Sequence, residues 1–193
     1  VDVNQGCSGF VYGLSLAKGI VASGQTDNVL LVTTETYSKY IDKGDKSNLT
    51  IFGDAATCML VSTDEKFSRE IDQFHFGSDG SGFDKIIVKQ NVFSMDGKAV
   101  FDFTARTIVT ELRKFVDIPN YSGDFVFHQA NTFMLDYMRK KLKIEKDQFV
   151  VNMAEYGNTV SNSIPLALSA TTNNNIVLAG FGVGLSWAFA KLK

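Results

Sequence analysis

Three side chains that lie far apart in this sequence could together perform acyl transfer. Cys7 is in the segment Gly-Cys-Ser-Gly, His128 begins the segment His-Gln-Ala-Asn, and Asn158 is in the segment Tyr-Gly-Asn-Thr. A thiol can attack a carbonyl carbon, while an imidazole and a carboxamide can donate hydrogen bonds to the oxyanion that develops. Each of the three lies at a predicted junction that leads into a helix. The sequence therefore predicts an acyl-transfer site that contains a thiol, an imidazole and a carboxamide.

The two cysteines have different surroundings. Cys7 precedes a helical pattern, and the free amides and the dipole at a helix N-terminus favour a thiolate. The alternative for Cys7 is a small buried core residue, which is the commonest fate of a free cysteine. Cys58 lies inside the apolar run Ala-Ala-Thr-Cys-Met-Leu, where no polar neighbour could activate it, so we predict that it is a core residue.

The polar candidates also have simpler interpretations. A lone histidine is more often structural than catalytic, and His75 is interpreted in that way. Asn158 alone would fit a turn or a helix cap, and Asn131 could equally be the cap of the helix that follows it. His128 and Asn158 become candidates for catalysis because both accompany Cys7, and Asn131 becomes a candidate for substrate contact.

Alternating helices and strands are predicted to position these residues. Helical periodicity covers residues 8–23, 98–116, 131–142 and 159–170, and strand patterns cover residues 28–34, 55–61, 71–76, 124–127, 175–181 and 185–190. The continuous apolar runs at 28–34 and 55–61 are typical of strands buried on both faces. Residues 37–50 are predicted to be a loop. Residues 7–62 and 158–190 share one order of elements, which suggests an internal duplication that places Cys7 and Asn158 at equivalent junctions.

Composition narrows the class of protein. The 193 residues carry a net charge of only −2, which argues against a nucleic-acid partner. No apolar run approaches the roughly 20 residues that span a bilayer, so no membrane partner is predicted. Two dissimilar cysteines indicate no disulfide framework and favour the cytoplasm. The chain starts in a strand pattern without a methionine, from which we predict a fragment or a processed chain.

Six segments of the sequence together resemble β-ketoacyl-acyl-carrier-protein synthase III, a family of thiolase-fold condensing enzymes. They are Gly6 to Phe10, Phe52 to Ala56, Asp96-Gly97 with Val100-Phe101, His128 to Asn131, Tyr156 to Thr159, and Gly180 to Trp187. The resemblance implies an α/β protein with the layered αβαβα thiolase fold. Residues 1–64 would be the C-terminal part of the first half and residues 65–193 the whole second half. The family enzyme is longer by about one hundred residues on the N-terminal side, judged from usual domain sizes.

The resemblance also implies a reaction. An acyl-coenzyme A would acylate Cys7, and malonyl-acyl carrier protein would lose CO₂ against His128 and Asn158 before condensing with the acyl group. The backbone amides of Cys7 and Val183 would form a second oxyanion hole, although the segment around Val183 could be merely a hairpin turn. The product would be a 3-oxoacyl-carrier thioester of fatty acid biosynthesis. No metal or redox cofactor is implied, and the family enzyme is normally a homodimer.

Further contacts follow from the same resemblance. Lys46, Asn131 and Gly182 would bind substrate, with a solvated loop lysine as the alternative for Lys46. A basic surface that could dock the acidic carrier protein consists of Arg139, Lys140 and Lys141. The simpler interpretation of that run is a solvated helix face.

The sequence departs from the family pattern at two positions and leaves two other functions open. Ala188 replaces a common glycine, and Phe133 replaces a basic residue that many members have, which weakens the transfer of that contact to this chain. One alternative function is acyl transfer without decarboxylation in a specialised pathway. The other is an inactive half-fold fragment.

Overall fold

The computed structural model describes residues 1–66 and 69–193 as a mixed α/β fold. A short 3₁₀ turn, Gly6–Ser8, leads into helix α1. The other helices are short or interrupted, and a π-helical turn at Thr104–Ile108 joins two of them. The helices are α1 (Gly9–Ala22), α2 (Lys46–Leu49), α3 (Gly97–Phe103), α4 (Val109–Phe115), α5 (Thr132–Leu142) and α6 (Ser163–Leu168).

The strands form three sheets. They are β1 (Asn28–Glu35), β2 (Ala55–Ser62), β3 (Ile71–Ser78), β4 (Ile86–Lys89), β5 (Val92–Met95), β6 (Asp124–Phe127), β7 (Phe149–Val150), β8 (Ile176–Gly182) and β9 (Ser186–Leu192). The main sheet has the order β3-β9-β8-β6-β7, in which β6 runs parallel to β7 and β8, and β9 runs antiparallel to β8 and β3. Strands β1 and β2 form an antiparallel ribbon, and β4 and β5 form a hairpin.

The main sheet is covered by helices on both faces. Along β8, Ile176 and Leu178 pack against α1 and α6, while Val177, Ala179 and Phe181 pack against α4 and α5. The opposite sides of α1 and α6 pack against the inner face of the β1–β2 ribbon. The layers are therefore ribbon, helices, main sheet and helices. Because β8 is buried on both faces, its apolar run is continuous in the sequence.

The structure confirms most of the predicted elements. The helix predicted over 98–116 is continuous in space but contains the π-helical turn, and the loop predicted over 37–50 contains α2 and a 3₁₀ turn at Tyr37–Lys39. The β4–β5 hairpin was not predicted from the sequence. The common order of elements is also observed, because a 3₁₀ turn, a helix and an antiparallel strand pair follow one another from Gly6 and again from Val160.

Two predictions of burial are wrong. Strands β1 and β2 are not buried on both faces, because alternate residues of each strand face away from α1 and α6. Leu30 and Val32 on that outer face are 66% and 58% exposed. Cys58 pairs in register with Val32 and shares the outer face, so it is exposed and is not a core residue.

Candidate functional site

Cys7 lies in the 3₁₀ turn that precedes α1, buried against the carboxyl end of β8. The contact requires glycines on the strand. A Cβ atom added to Gly182 would lie 2.8 Å from the Cys7 Sγ atom, and one added to Gly180 would lie 2.9 Å from the Cys7 carbonyl oxygen. Gly6 has a φ of +48°, and a Cβ atom there would collide with the Val183 side chain. The Gly-Phe-Gly-Val run of β8 therefore places the thiol against the strand.

Burial dominates the ionisation of Cys7. It raises the pKa of the thiol to about 12, and the charge of Glu35 acts in the same direction. Hydrogen bonds from the backbone amides of Val183 and of Cys7 itself lower the pKa by a smaller amount. The expectation that the helix N-terminus would favour a thiolate is therefore wrong for the resting site. Both amides that were predicted to form an oxyanion hole are nevertheless directed at the Cys7 sulfur.

His128 follows the last residue of β6 and is 2% exposed. Its backbone N–H donates to the Ala179 carbonyl at 2.8 Å, which continues the pairing of β6 with β8. Its ring lies 5.7 Å from the ring of Phe181, measured between centroids. Burial lowers the pKa of His128 to about 4, against a smaller opposing effect of the Val160 carbonyl. The imidazole is therefore neutral at physiological pH.

Ser163 is the side chain that orients His128. The His128 Nδ1 atom lies 2.7 Å from the Ser163 Oγ atom, which also lies 2.8 Å from the Val160 carbonyl oxygen. The sequence analysis did not identify Ser163 as a site residue, because a serine at the start of a helix is usually a capping residue. Its contact with a histidine 35 positions earlier depends on the tertiary fold.

Asn158 is held by its neighbours on both sides. Its backbone N–H donates to the Ile51 carbonyl at 2.8 Å, and its carbonyl accepts the Gly53 N–H at 3.0 Å. The side-chain Oδ1 atom accepts the Val160 N–H at 3.0 Å. Within the described residues, Nδ2 makes no hydrogen bond, so the amide can donate to a bound substrate. The Oδ1 atom of Asn158 is thus held in place, and the Nδ2–H group is available to donate a hydrogen bond to a substrate.

The three predicted junctions meet at the carboxyl end of β8. Cys7 packs on Gly182, and His128 is bonded to the same strand through Ala179. Asn158 is linked to His128 through Val160 and Ser163. Gly9 lies beside Ser161, at an added Cβ–Cβ distance of 3.7 Å, and so joins the Cys7 turn to the Asn158 loop.

A pocket beside the Asn158 loop has a volume of about 380 Å³. Its walls include Phe52, Asn131, Tyr156 and Gly157. Asn131 is the N-cap of α5, because its Oδ1 atom accepts the Met134 N–H at 2.8 Å. This confirms that Asn131 caps the helix. Because Asn131 also lies in the pocket wall, its contact with substrate stays a prediction.

The other two predicted substrate residues are Lys46, which lies near this pocket, and Gly182, which lies on β8. Lys46 is exposed at the start of α2, and its carbonyl accepts the hydroxyl of Thr50, another residue of the pocket wall, at 2.9 Å. Gly182 lies on Cys7 rather than in this pocket. Phe133 is 71% exposed and stacks on Phe101 with 5.7 Å between ring centroids.

The basic residues of α5 are partly neutralised by an acidic neighbour. Asp136 is 3.1 Å from the Arg139 guanidinium and 2.6 Å from the Lys140 ammonium. Lys141 is exposed and forms no ion pair within residues 1–66 and 69–193. The predicted docking surface therefore has its least compensated charge at Lys141.

The described residues contain neither a group of side chains arranged as metal ligands nor a helix that spans a membrane. No cluster of three or more His, Cys, Asp or Glu side chains in the described part of the chain is arranged to hold a metal ion. Likewise, none of the described helices has the length and apolar character needed to cross a bilayer.

Comparison with known proteins gives a consistent family match. Residues 1–80 match the family profile described as 3-oxoacyl-(acyl-carrier-protein) synthase III, and residues 123–193 match the profile of its C-terminal part. The beta-ketoacyl-(acyl-carrier-protein) synthase III of Clostridium perfringens strain SM101 is 32% identical over the whole chain, which covers 67% of that relative. The Lactococcus lactis enzyme of the same name is 34% identical, with 98% of this chain and 66% of the relative covered.

Solved structures agree with these matches. A crystal structure of 3-oxoacyl-(acyl carrier protein) synthase III from Pseudomonas aeruginosa PAO1 superposes with a TM-score of 0.91 at 35% identity, covering all of this chain and 66% of that one. A second crystal structure of a synthase III has the same TM-score at 38% identity and covers 99% of this chain and 67% of that one. The chain thus spans about two thirds of the proteins that it matches, in line with the length expected from the sequence.

Proposed function

This chain belongs to the 3-oxoacyl-(acyl-carrier-protein) synthase III family, and we propose that the protein joins an acyl group from acyl-coenzyme A to malonyl-acyl carrier protein by decarboxylative Claisen condensation. The observation that carries this proposal is the meeting of Cys7, His128 and Asn158 at the carboxyl end of β8. The reaction would belong to fatty acid biosynthesis and would take place in the cytoplasm.

In the first half-reaction, the Cys7 sulfur attacks the thioester carbonyl of acyl-coenzyme A. The new C–S bond gives a tetrahedral oxyanion, which the backbone amides of Cys7 and Val183 stabilise. The bond to the coenzyme A sulfur then breaks, and the leaving thiolate takes up the proton that Cys7 lost. Since the pKa of the buried thiol is about 12, that proton leaves only as the substrate engages the site.

In the second half-reaction, malonyl-acyl carrier protein loses CO₂. The electrons of the breaking C–C bond move into the thioester, which becomes an enolate. Hydrogen bonds from the His128 Nε2–H and the Asn158 Nδ2–H stabilise the enolate oxygen. The enolate carbon then attacks the acyl-Cys7 carbonyl, and the Cys7 thiolate leaves. The product is a 3-oxoacyl thioester on the carrier protein.

A neutral His128 can donate from Nε2 only if its Nδ1 atom carries no proton. We assign that tautomer to Ser163. The Ser163 hydroxyl lies 2.7 Å from Nδ1 and 2.8 Å from the Val160 carbonyl oxygen, to which it can also donate, so the proposal requires that it direct its hydrogen to Nδ1. With Nδ1 as an acceptor, the neutral ring carries its proton on Nε2. Burial lowers the pKa of His128 to about 4, which keeps the ring in this neutral form.

The substrates would reach the site through the pocket beside Asn158. Asn131 in its wall would contact the arm of the thioester, and Lys46 at its edge would contact phosphate groups of coenzyme A. Gly182 would leave room for the acyl group, since it adds no side chain beside the sulfur. Arg139, Lys140 and Lys141 at the far end of α5 would attract the acidic carrier protein, with Lys141 contributing most.

Other features of the assembly follow from the family. We propose a homodimer whose interface includes the exposed extended segment before Cys7, and a reaction that uses thioester chemistry without a metal or redox cofactor. No part of the proposal requires a membrane or a nucleic acid.

The test is to incubate the full-length protein with acyl-coenzyme A and malonyl-carrier protein. The expected products are CO₂, free coenzyme A and a 3-oxoacyl-carrier thioester in equal amounts. Acyl transfer to another acceptor without CO₂ release would replace the proposal by the non-decarboxylating alternative. No acylation and no CO₂ release would identify an inactive member of the family.

A further inference from the structure

Residues 158–162, which include Asn158, are attached to the β1–β2 ribbon by side-chain hydrogen bonds. The Ser161 hydroxyl donates to the Glu35 Oε1 atom at 2.7 Å. Next to it, the Thr33 hydroxyl donates to the Asn162 Oδ1 atom at 2.7 Å, and the Asn162 amide donates to the Ala55 carbonyl at 3.1 Å. All of these bonds join the first half of the fold to a loop of the second half. They form beside the site, since a Cβ atom added to Gly9, which follows the Cys7 turn, would lie 3.7 Å from the Ser161 Cβ atom.

The loop needs such support because its backbone is strained. Val160 has a φ of +55°, a left-handed conformation that β-branched residues rarely adopt. A residue in this conformation persists only where the surrounding structure over-determines it. The same residue directs its N–H to the Asn158 Oδ1 atom and so orients the carboxamide. A relaxed Val160 would therefore release the oxygen side of Asn158 and let the amide turn.

We propose that Glu35 is a positioning residue for Asn158, acting through its hydrogen bond with Ser161. This inference rests on the proposed function, because it assigns Glu35 to the decarboxylation half-reaction. Glu35 ends β1 and is only partly exposed, and Ser161 is buried. Burial raises the pKa of the Glu35 carboxyl, while the Ser161 hydrogen bonds lower it. The carboxyl oxygen accepts from Ser161 whether or not the other oxygen is protonated, so the link does not depend on the charge.

The test compares Glu35→Ala, Glu35→Gln and Ser161→Ala in the full-length protein. Two half-reactions are measured separately, namely acylation of the protein by acyl-coenzyme A and release of CO₂ from malonyl-carrier protein. Asn158→Ala defines the full loss of the donor, which is about 10²- to 10³-fold in kcat for CO₂ release. Glu145→Ala replaces an exposed glutamate outside the site and is the matched control.

Glu35→Ala and Ser161→Ala should each lower kcat for CO₂ release about 10- to 100-fold, with KM and the acylation rate changed less than about threefold. Glu35→Gln keeps an amide oxygen that can accept from Ser161, so it should restore most of the activity. The double variant should be no slower than Glu35→Ala, since Ser161→Ala removes only the hydroxyl bond that Glu35→Ala already removes.

Three results would overturn the inference. Normal CO₂ release by Glu35→Ala would show that the bond does not position Asn158. Equal losses in both half-reactions, with a lower Tm, would indicate a structural role alone. An additive double variant would mean that the two residues act independently. If the wild-type protein acylates but releases no CO₂, the proposed function fails first, and that outcome is distinguishable from these three.

Discussion

Gly182→Ala tests whether the thiol must lie against β8. The added Cβ atom would be 2.8 Å from the Cys7 Sγ atom and 2.9 Å from its Cβ atom. Ordinary contacts begin at 3.4 Å, so the sulfur must move by at least about 0.6 Å. A misplacement of 1 Å in an active site can cost about 100-fold, so we expect a loss of at least about tenfold in the rate of acylation.

The clash is confined to the nucleophile. Apart from its two chain neighbours, only atoms of Cys7 among the described residues lie within 4 Å of the added Cβ atom, and the φ of +156° at Gly182 adds local backbone strain to the clash. In the proposed mechanism CO₂ release from malonyl-carrier protein uses His128 and Asn158, so it should stay within about threefold of wild type. The assays are the initial rate of acyl-enzyme formation by intact-mass spectrometry and the release of labelled CO₂. The control is Gly19→Ala, since Gly19 is exposed in α1 and an added methyl group meets no described atom within 4 Å.

Two outcomes would refute this reasoning. Acylation of Gly182→Ala at the wild-type rate would mean that the reacting sulfur does not lie where Cys7 packs on β8. A fall in both half-reactions, without a change in Tm, would mean that the two half-reactions do not use separate groups.

Three further predictions concern the nucleophile and the histidine. Cys7→Ala should abolish acyl-enzyme formation while CO₂ release survives, and Cys58→Ser should acylate at the wild-type rate; an acyl group found on Cys58 of the wild-type protein by mass spectrometry would contradict the assignment. Ser163→Ala should slow CO₂ release about tenfold by freeing the His128 tautomer, while a histidine NMR spectrum that keeps the Nε2–H form would exclude this cause. The folded pKa of His128, about 4, lies below the unfolded value of about 6.5, so its contribution to the free energy of unfolding is lost as pH falls from about 6.5 to 4. Wild type should lose about 2 kcal/mol more than His128→Asn between pH 7.5 and 5 in urea unfolding, and equal losses would contradict the buried neutral ring.

The sequence predicted the strand β8 and the strand β1 equally well but could not predict their different burial. Both are continuous apolar runs, and such a run indicates only that a strand is apolar. β8 has helices on both faces, whereas the outer face of β1 has none within the described residues. Cys58 was misassigned for the same reason, because one face of β2 is open. Burial depends on which layers cover a strand, and local patterns contain no information about that.

In the site, too, the sequence predicted features that depend on neighbouring residues but not those that depend on contacts between distant residues. The types of Cys7, His128 and Asn158 and their junctions were visible in the sequence, because each junction is local. The Ser163–His128 and Ser161–Glu35 bonds span 35 and 126 positions, so no local pattern could reveal them. The ionisation of Cys7 was predicted in the wrong direction since the helix N-terminus is a local feature and the burial that outweighs it is not.

The burial of Cys7 and His128 keeps both side chains neutral in the resting site. A thiolate beside the Glu35 carboxylate in a buried site would be strongly disfavoured, and the pKa of Cys7 is raised accordingly. In the proposed reaction, the enolate that forms later carries a negative charge in the same surroundings, but it would meet two preorganised donors at its oxygen. A neutral His128 and the amide of Asn158 can stabilise that charge without being titrated between about pH 5 and pH 9, because the pKa of His128 is about 4 and a carboxamide does not ionise. The site therefore stabilises negative charge as it develops on the substrate more than on the resting sulfur, which is the condition for accelerating the chemical steps.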